Sequence, residues 1–167
     1  MAEMTPQERL LPFLLDRLVD EEPQTKVESR ERRVISFKQF HKAILRDLQW
    51  LLNSATKAER DEIDEFPEVA KSVLNYGMPD IAGSTESSMT PEMVERMVKT
   101  AIFQFEPRVL RTSLHVRGVS AAKAVGNMLS LEIRGQVWAQ PMPESLYVKT
   151  EVDLETGMCQ LKDQLHG

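Results

Sequence analysis

The sequence predicts an α+β fold in which N-terminal helices pack on one face of a C-terminal antiparallel sheet. Three features predict it. Apolar residues recur at helical spacing up to Phe105, they alternate at strand spacing from Leu110 onward, and Pro107 separates the two regimes. Val94, Met97, Val98, Ala101, Ile102 and Phe105 line one face of a helix. Pro107 has no amide hydrogen and pushes Glu106 out of the helical region, so that helix stops at about Phe105. Glu106 and Arg108 then flank a rigid corner, and their chemistry alone points to an ion pair closing the helix C-terminus.

The elements follow in order. Thr5-Pro6 has the form of a helix cap followed by proline at the first helical position. Leu10, Leu11, Leu14, Leu15 and Leu18 make a leucine stripe that ends at Asp20-Glu-Glu-Pro23. Such a stripe is expected to pack into the core; the competing reading is a docking face. Ser36 and Gln39 have capping-box spacing, with Ile35 and Phe40 placed as a staple, and the helix they open runs to Asn53. The segment 57–65 is densely charged and expected at the surface. Phe66-Pro67 starts a short helix carrying Val69, Val73 and Leu74. The stretch 75–83 has two glycines, a proline and an asparagine, the makings of a shaped loop anchored by Tyr76, Met78 and Ile81. Thr90-Pro91-Glu92 launches the helix that leads to the corner.

Beyond the corner, Leu110, Thr112, Leu114 and Val116 alternate with polar residues as a first strand, and 118–127 is a connection. Leu129, Leu131, Ile133 and Val137 mark a second strand. Leu146, Val148, Thr150 and Val152 mark a third, and the turn 153–157 leads to a short final run, Met158 to Leu161. The 167 residues, 41% hydrophobic, suit one domain over 1–167, helical over about 5–105 and sheet over about 108–162.

A formal charge of −5 argues against a nucleic-acid binder. The single cysteine, Cys159, excludes an internal disulfide. No apolar run is long enough to span a membrane and the N-terminus lacks a signal-peptide layout, so a cytoplasmic chain with no membrane insertion is expected. His41, His115 and His166 are not at metal-ligand spacing, and no phosphate loop or nucleophile elbow is present, so no metal, cofactor or catalytic group is expected. Glu106 is the one acid in an apolar setting, but a neighbouring arginine opposes the raised pKa that a glycosidase acid needs. The remaining opportunity is the sheet, since an uncovered edge can accept a strand from another protein. Spacing alone does not decide whether this sheet has one.

Four blocks in order resemble a known family: Arg46-Asp-Leu-Gln-Trp-Leu-Leu-Asn53, Ser72-Val-Leu-Asn-Tyr-Gly-Met-Pro-Asp-Ile-Ala-Gly83, Ala101-Ile-Phe-Gln-Phe-Glu-Pro-Arg108 and Leu146-Tyr-Val-Lys-Thr-Glu-Val-Asp-Leu-Glu-Thr-Gly157. They look like TssE, the type VI secretion baseplate subunit related to a phage baseplate wedge protein. The likeness runs from about Leu10 to Leu161. It departs at Gln49, where the family suggests an acid, and at Ser54-Ala-Thr56, which replaces a more basic continuation. The resemblance implies a structural subunit beside TssF and TssG, with TssK and the spike nearby, that templates the contractile sheath by strand exchange at a free sheet edge. It implies a partner-facing role for Glu106, Pro107 and Arg108. The candidate template is the third and fourth strands, with Leu146, Val148, Thr150 and Val152. Two alternatives stand beside it: a lysozyme-like peptidoglycan hydrolase, with Glu106 as its acid, and an anti-adaptor-type regulatory module.

Overall fold

The computed structural model describes residues 10, 12–19, 24, 35–56, 65–83, 89–119, 128–139 and 142–163. Its helices are α1 (Leu14–Leu18), α2 (Phe37–Leu52), α3 (Pro67–Ala70) and α4 (Pro91–Phe105), with a 3₁₀ turn at Val73–Asn75. Four strands follow: β1 (His115–Val119), β2 (Met128–Val137), β3 (Glu144–Asp153) and β4 (Cys159–Asp163). They form an antiparallel meander in the order β1-β2-β3-β4. The expected α+β arrangement is what the chain adopts.

α2 begins as its sequence dictates. The Ser36 hydroxyl accepts from the Gln39 amide, and the Gln39 side chain accepts from the Ser36 amide at 2.9 Å. Phe40, Ala43, Ile44, Leu48, Leu51 and Leu52 recur every three or four residues and are buried. α4 supplies Val94, Val98, Ala101 and Ile102 to the same core and ends at Phe105, one residue before Glu106 leaves helical geometry. Both helices face the side of the sheet carrying Leu131, Ile133, Val137, Leu146, Val148 and Val152. The opposite face is polar. There Glu132 accepts from the Tyr147 hydroxyl (2.9 Å) and pairs with Arg134 (2.6 Å), while Glu151 pairs with Lys162 (2.6 Å).

The structure corrects two sequence expectations. Of the leucine stripe, Leu10 packs against the core, but Leu14, Leu15 and Leu18 do not. α1 is only five residues long with none buried, and Leu14 and Leu18 are each 72% exposed. Fewer than two turns cannot hold a stripe against the core; the inward contact is made instead by Phe13, whose ring lies 4.9 Å from Phe40. Leu10 pairs as an isolated bridge with Ile35, whereas the Thr5-Pro6 cap and Leu11 lie outside the described residues. The first strand starts later than its alternation suggests. Residues 111–113 form a turn closed by the Ser113 amide donating to the Leu110 carbonyl (2.9 Å), so Leu110 and Thr112 precede β1, while Gly118 and Val119 belong to it. Asn53 caps the end of α2, the stop expected of it, at φ −106°. Most of the charged segment 57–65 and the connection after Val119 fall outside the described residues.

The loop after the 3₁₀ turn is packed down as expected: Met78 and Ile81 are buried, and Tyr76 meets Phe105 edge-on at 5.3 Å. The Met78 amide donates to the Ser54 carbonyl (2.8 Å), and the Met78 carbonyl accepts from the Thr56 amide (2.9 Å). This short parallel bridge fastens the loop to the end of α2.

Cys159 is fully buried in β4, and burial pushes its thiol from the ordinary 9.0 to about 11. Between those values the unfolded chain releases the proton that the folded chain retains, so this group lowers stability as pH rises through that window. At pH 8, iodoacetamide should label Cys159 only at the rate of unfolding. Labelling of the native chain as fast as a free thiol would contradict this placement.

Candidate functional site

The corner is built by the end of α4, one turn of α2 and the residue before α1. Glu106 is only 4% exposed. Its two carboxylate oxygens accept from Nε and Nη2 of Arg108, and Oε1 also accepts from the Arg108 amide at 3.2 Å. Nη2 of Arg108 reaches Asp47 as well, at 2.8 Å, and Asp47 in turn pairs with Arg46 (2.8 Å), which pairs with Asp16. The Phe13 ring covers the Arg108 guanidinium at 4.1 Å. Burial alone would lower the Arg108 pKa, but Glu106 first and Asp47 second hold it above the ordinary value. The ion pair expected from chemistry is therefore internal. With both oxygens bonded to Arg108, Glu106 offers no free carboxyl oxygen to a sugar's leaving group, as a glycosidase acid must.

The same residues nevertheless reach the surface. Pro107 is exposed, and with Arg108 it lines an open groove of about 390 Å³ together with Phe13, Leu14, Leu15 and Trp50. Trp50 is 51% exposed, and the Arg46 guanidinium stacks over its ring at 5.1 Å. An exposed leucine pair, a tryptophan and a proline around a buried charge network form an apolar surface of the kind that proteins use for contact.

The strand residues singled out in the sequence lie elsewhere. Leu146, Val148, Thr150 and Val152 are all buried on the helix-facing side of β3. β3 is an inner strand: its whole length pairs with β2, and its residues from Val148 to Val152 also pair with β4. Those four side chains fill the core; the rim on this side of the sheet is β4 beside Val148–Val152 and β3 itself over Glu144–Tyr147.

Sequence reasoning missed three residues that the fold brings to these sites. Asp47 holds the second side of Arg108. Gln49 and Asn53, one turn apart on α2, reach the main chain of β4. The signal for Gln49 was present as a departure from the resembling family, because an amide both donates and accepts where an acid only accepts.

A family model described as baseplate wedge protein gp25 matches residues 38–142, well over half of the chain. The chain belongs to the gp25 baseplate wedge family. That match covers nearly all of α2, then α3, α4, the corner, β1 and β2, and it leaves out Phe13, Leu14 and Leu15 of the groove and the strands β3 and β4. The family is structural, a component of a baseplate that contacts other baseplate components. No curated protein and no solved structure matches this gp25 family member. Among the described residues, no helix is long and apolar enough to cross a membrane.

Proposed function

We propose that this gp25 family member is a structural subunit of a type VI secretion baseplate wedge, acting as a single cytoplasmic domain and not as an enzyme. The observation that carries the reading is the wedge-family match across the corner and the first two strands of the sheet. In this role the groove beside Pro107 and Arg108 receives TssF and TssG, with TssK and the spike nearby. The Glu106–Arg108 pair holds the groove's floor rigid, so docking orders little chain. The terminal β3–β4 ribbon templates the first contractile sheath ring by exchanging strands with sheath subunits, the main chain supplying directional bonds and alternate side chains the register.

The groove can be tested without disturbing the core. Leu14→Glu with Trp50→Glu changes two exposed side chains and should leave the circular dichroism spectrum unaltered. Binding to purified TssF–TssG should fall roughly 30-fold, the equivalent of losing a ~2 kcal/mol aromatic anchor. Undiminished binding would place the contact elsewhere, and a parent chain that binds no baseplate protein would end the wedge reading itself.

A further inference from the structure

In the β3–β4 ladder the Asp153 amide donates to the Met158 carbonyl (2.9 Å), and the pairs Val152↔Cys159 and Thr150↔Leu161 follow. Antiparallel alternation therefore turns the main-chain groups of Cys159 and Leu161 outward, away from β3. These are the groups an added strand would use. Two side chains of α2 already hold them. The Asn53 side chain accepts from the Cys159 amide (2.9 Å) and donates to the Cys159 carbonyl (2.9 Å). Gln49 donates to that carbonyl (2.6 Å) and accepts from the Leu161 amide (3.1 Å). A primary amide has the donor and acceptor of a peptide group, so Asn53 reproduces the two-bond exchange of an antiparallel pair. Gln49 reproduces a residue bridging two positions of a parallel neighbour.

We infer that Gln49 and Asn53 are a displaceable guard on the β4 edge, standing in for an extended strand of a sheath subunit until that strand takes their place. The inference rests on the templating reading above and adds how the edge is regulated. Asn53 is exposed and Gln49 only partly buried, so both amides can return to water when released. A strand offering the same bonds also brings side-chain contacts, which two amides cannot match. While in place, the guard keeps β4 from pairing with β4 of a second copy, the hazard of any bare edge. The Asn53 amide also donates to the Gln49 carbonyl (2.7 Å), so opening the edge loosens the last turn of α2 as well.

The test uses the full chain with Gln49→Met and Asn53→Leu, which keep side-chain bulk and remove the amides. Hydrogen exchange of the Cys159 and Leu161 amides should accelerate on the order of tenfold, about the factor for one lost hydrogen bond. Sedimentation should show the double variant associating at concentrations where the parent stays monomeric. Unchanged exchange at both amides, or equal association of the two forms, overturns the guard. If the double variant does not fold, Gln49→Met alone decides: the Leu161 amide should exchange faster, while Cys159, still held by Asn53, should not. Adding purified sheath protein separates the two ideas. If it binds neither form, templating falls and the guard is judged on exchange alone; if it binds the parent and protects neither amide, the guard falls.

Discussion

Replacing Arg108 with leucine should cost about 3–5 kcal/mol of folding stability, the penalty for leaving a buried charge without its partner. The carboxylate left behind is Glu106, 4% exposed and bonded through both oxygens to the lost guanidinium. Asp47 is less affected because Arg46 still holds it at 2.8 Å. The expected asymmetry follows: Asp47→Asn should cost far less than Arg108→Leu, since Arg108 keeps Glu106. Adding Glu106→Gln to Arg108→Leu should recover much of the loss, because a neutral amide is cheaper to bury than a charge. Urea unfolding of the four chains measures all of this. A loss below about 1 kcal/mol for Arg108→Leu, the size of a surface ion pair, would mean the network is solvent-relaxed and not a buried latch.

Gly77→Ala should be comparably damaging for a different reason. Gly77 has φ +126°, and a Cβ placed there would lie 2.1 Å from the Ser54 carbonyl oxygen. The backbone conformation alone costs alanine roughly 1–3 kcal/mol. Relieving the clash would also part Met78 from Ser54 and Thr56, two main-chain bonds of about 1 kcal/mol each. A total near 3–5 kcal/mol is expected by thermal or urea unfolding. The effect should reach function, because the same loop carries Tyr76, which lines the corner groove beside Phe105. A variant within about 0.5 kcal/mol of the parent, the range of an inert surface change, would refute the close approach.

The Gly77–Ser54 approach and the Asp47–Arg108 pair join segments far apart in the chain, and this marks where sequence reading stops. Local rules sufficed for the capping box at Ser36, the halt of α4 before Pro107, the alternation of β2 and β3, and the anchored loop at Tyr76, Met78 and Ile81. Each depends on residues within a turn or two of one another. The same rules misjudged the leucine stripe, because apolar spacing says that a helix could bury a face and not whether anything covers it. Alternation likewise marked β3 and β4 as strands without saying which of them lies inside the sheet and which at its rim.

The sequence by itself determined the order of helices and strands, the proline corner, and membership of a wedge family through blocks that run in register along the chain. Only the tertiary structure decided that the Glu106–Arg108 pair is buried and that Asp47 shares its arginine. It also decided that β4 is the rim strand and that Gln49 and Asn53 occupy its edge. Those facts depend on which distant groups end up within hydrogen-bond reach, and packing sets that distance while spacing along the chain does not.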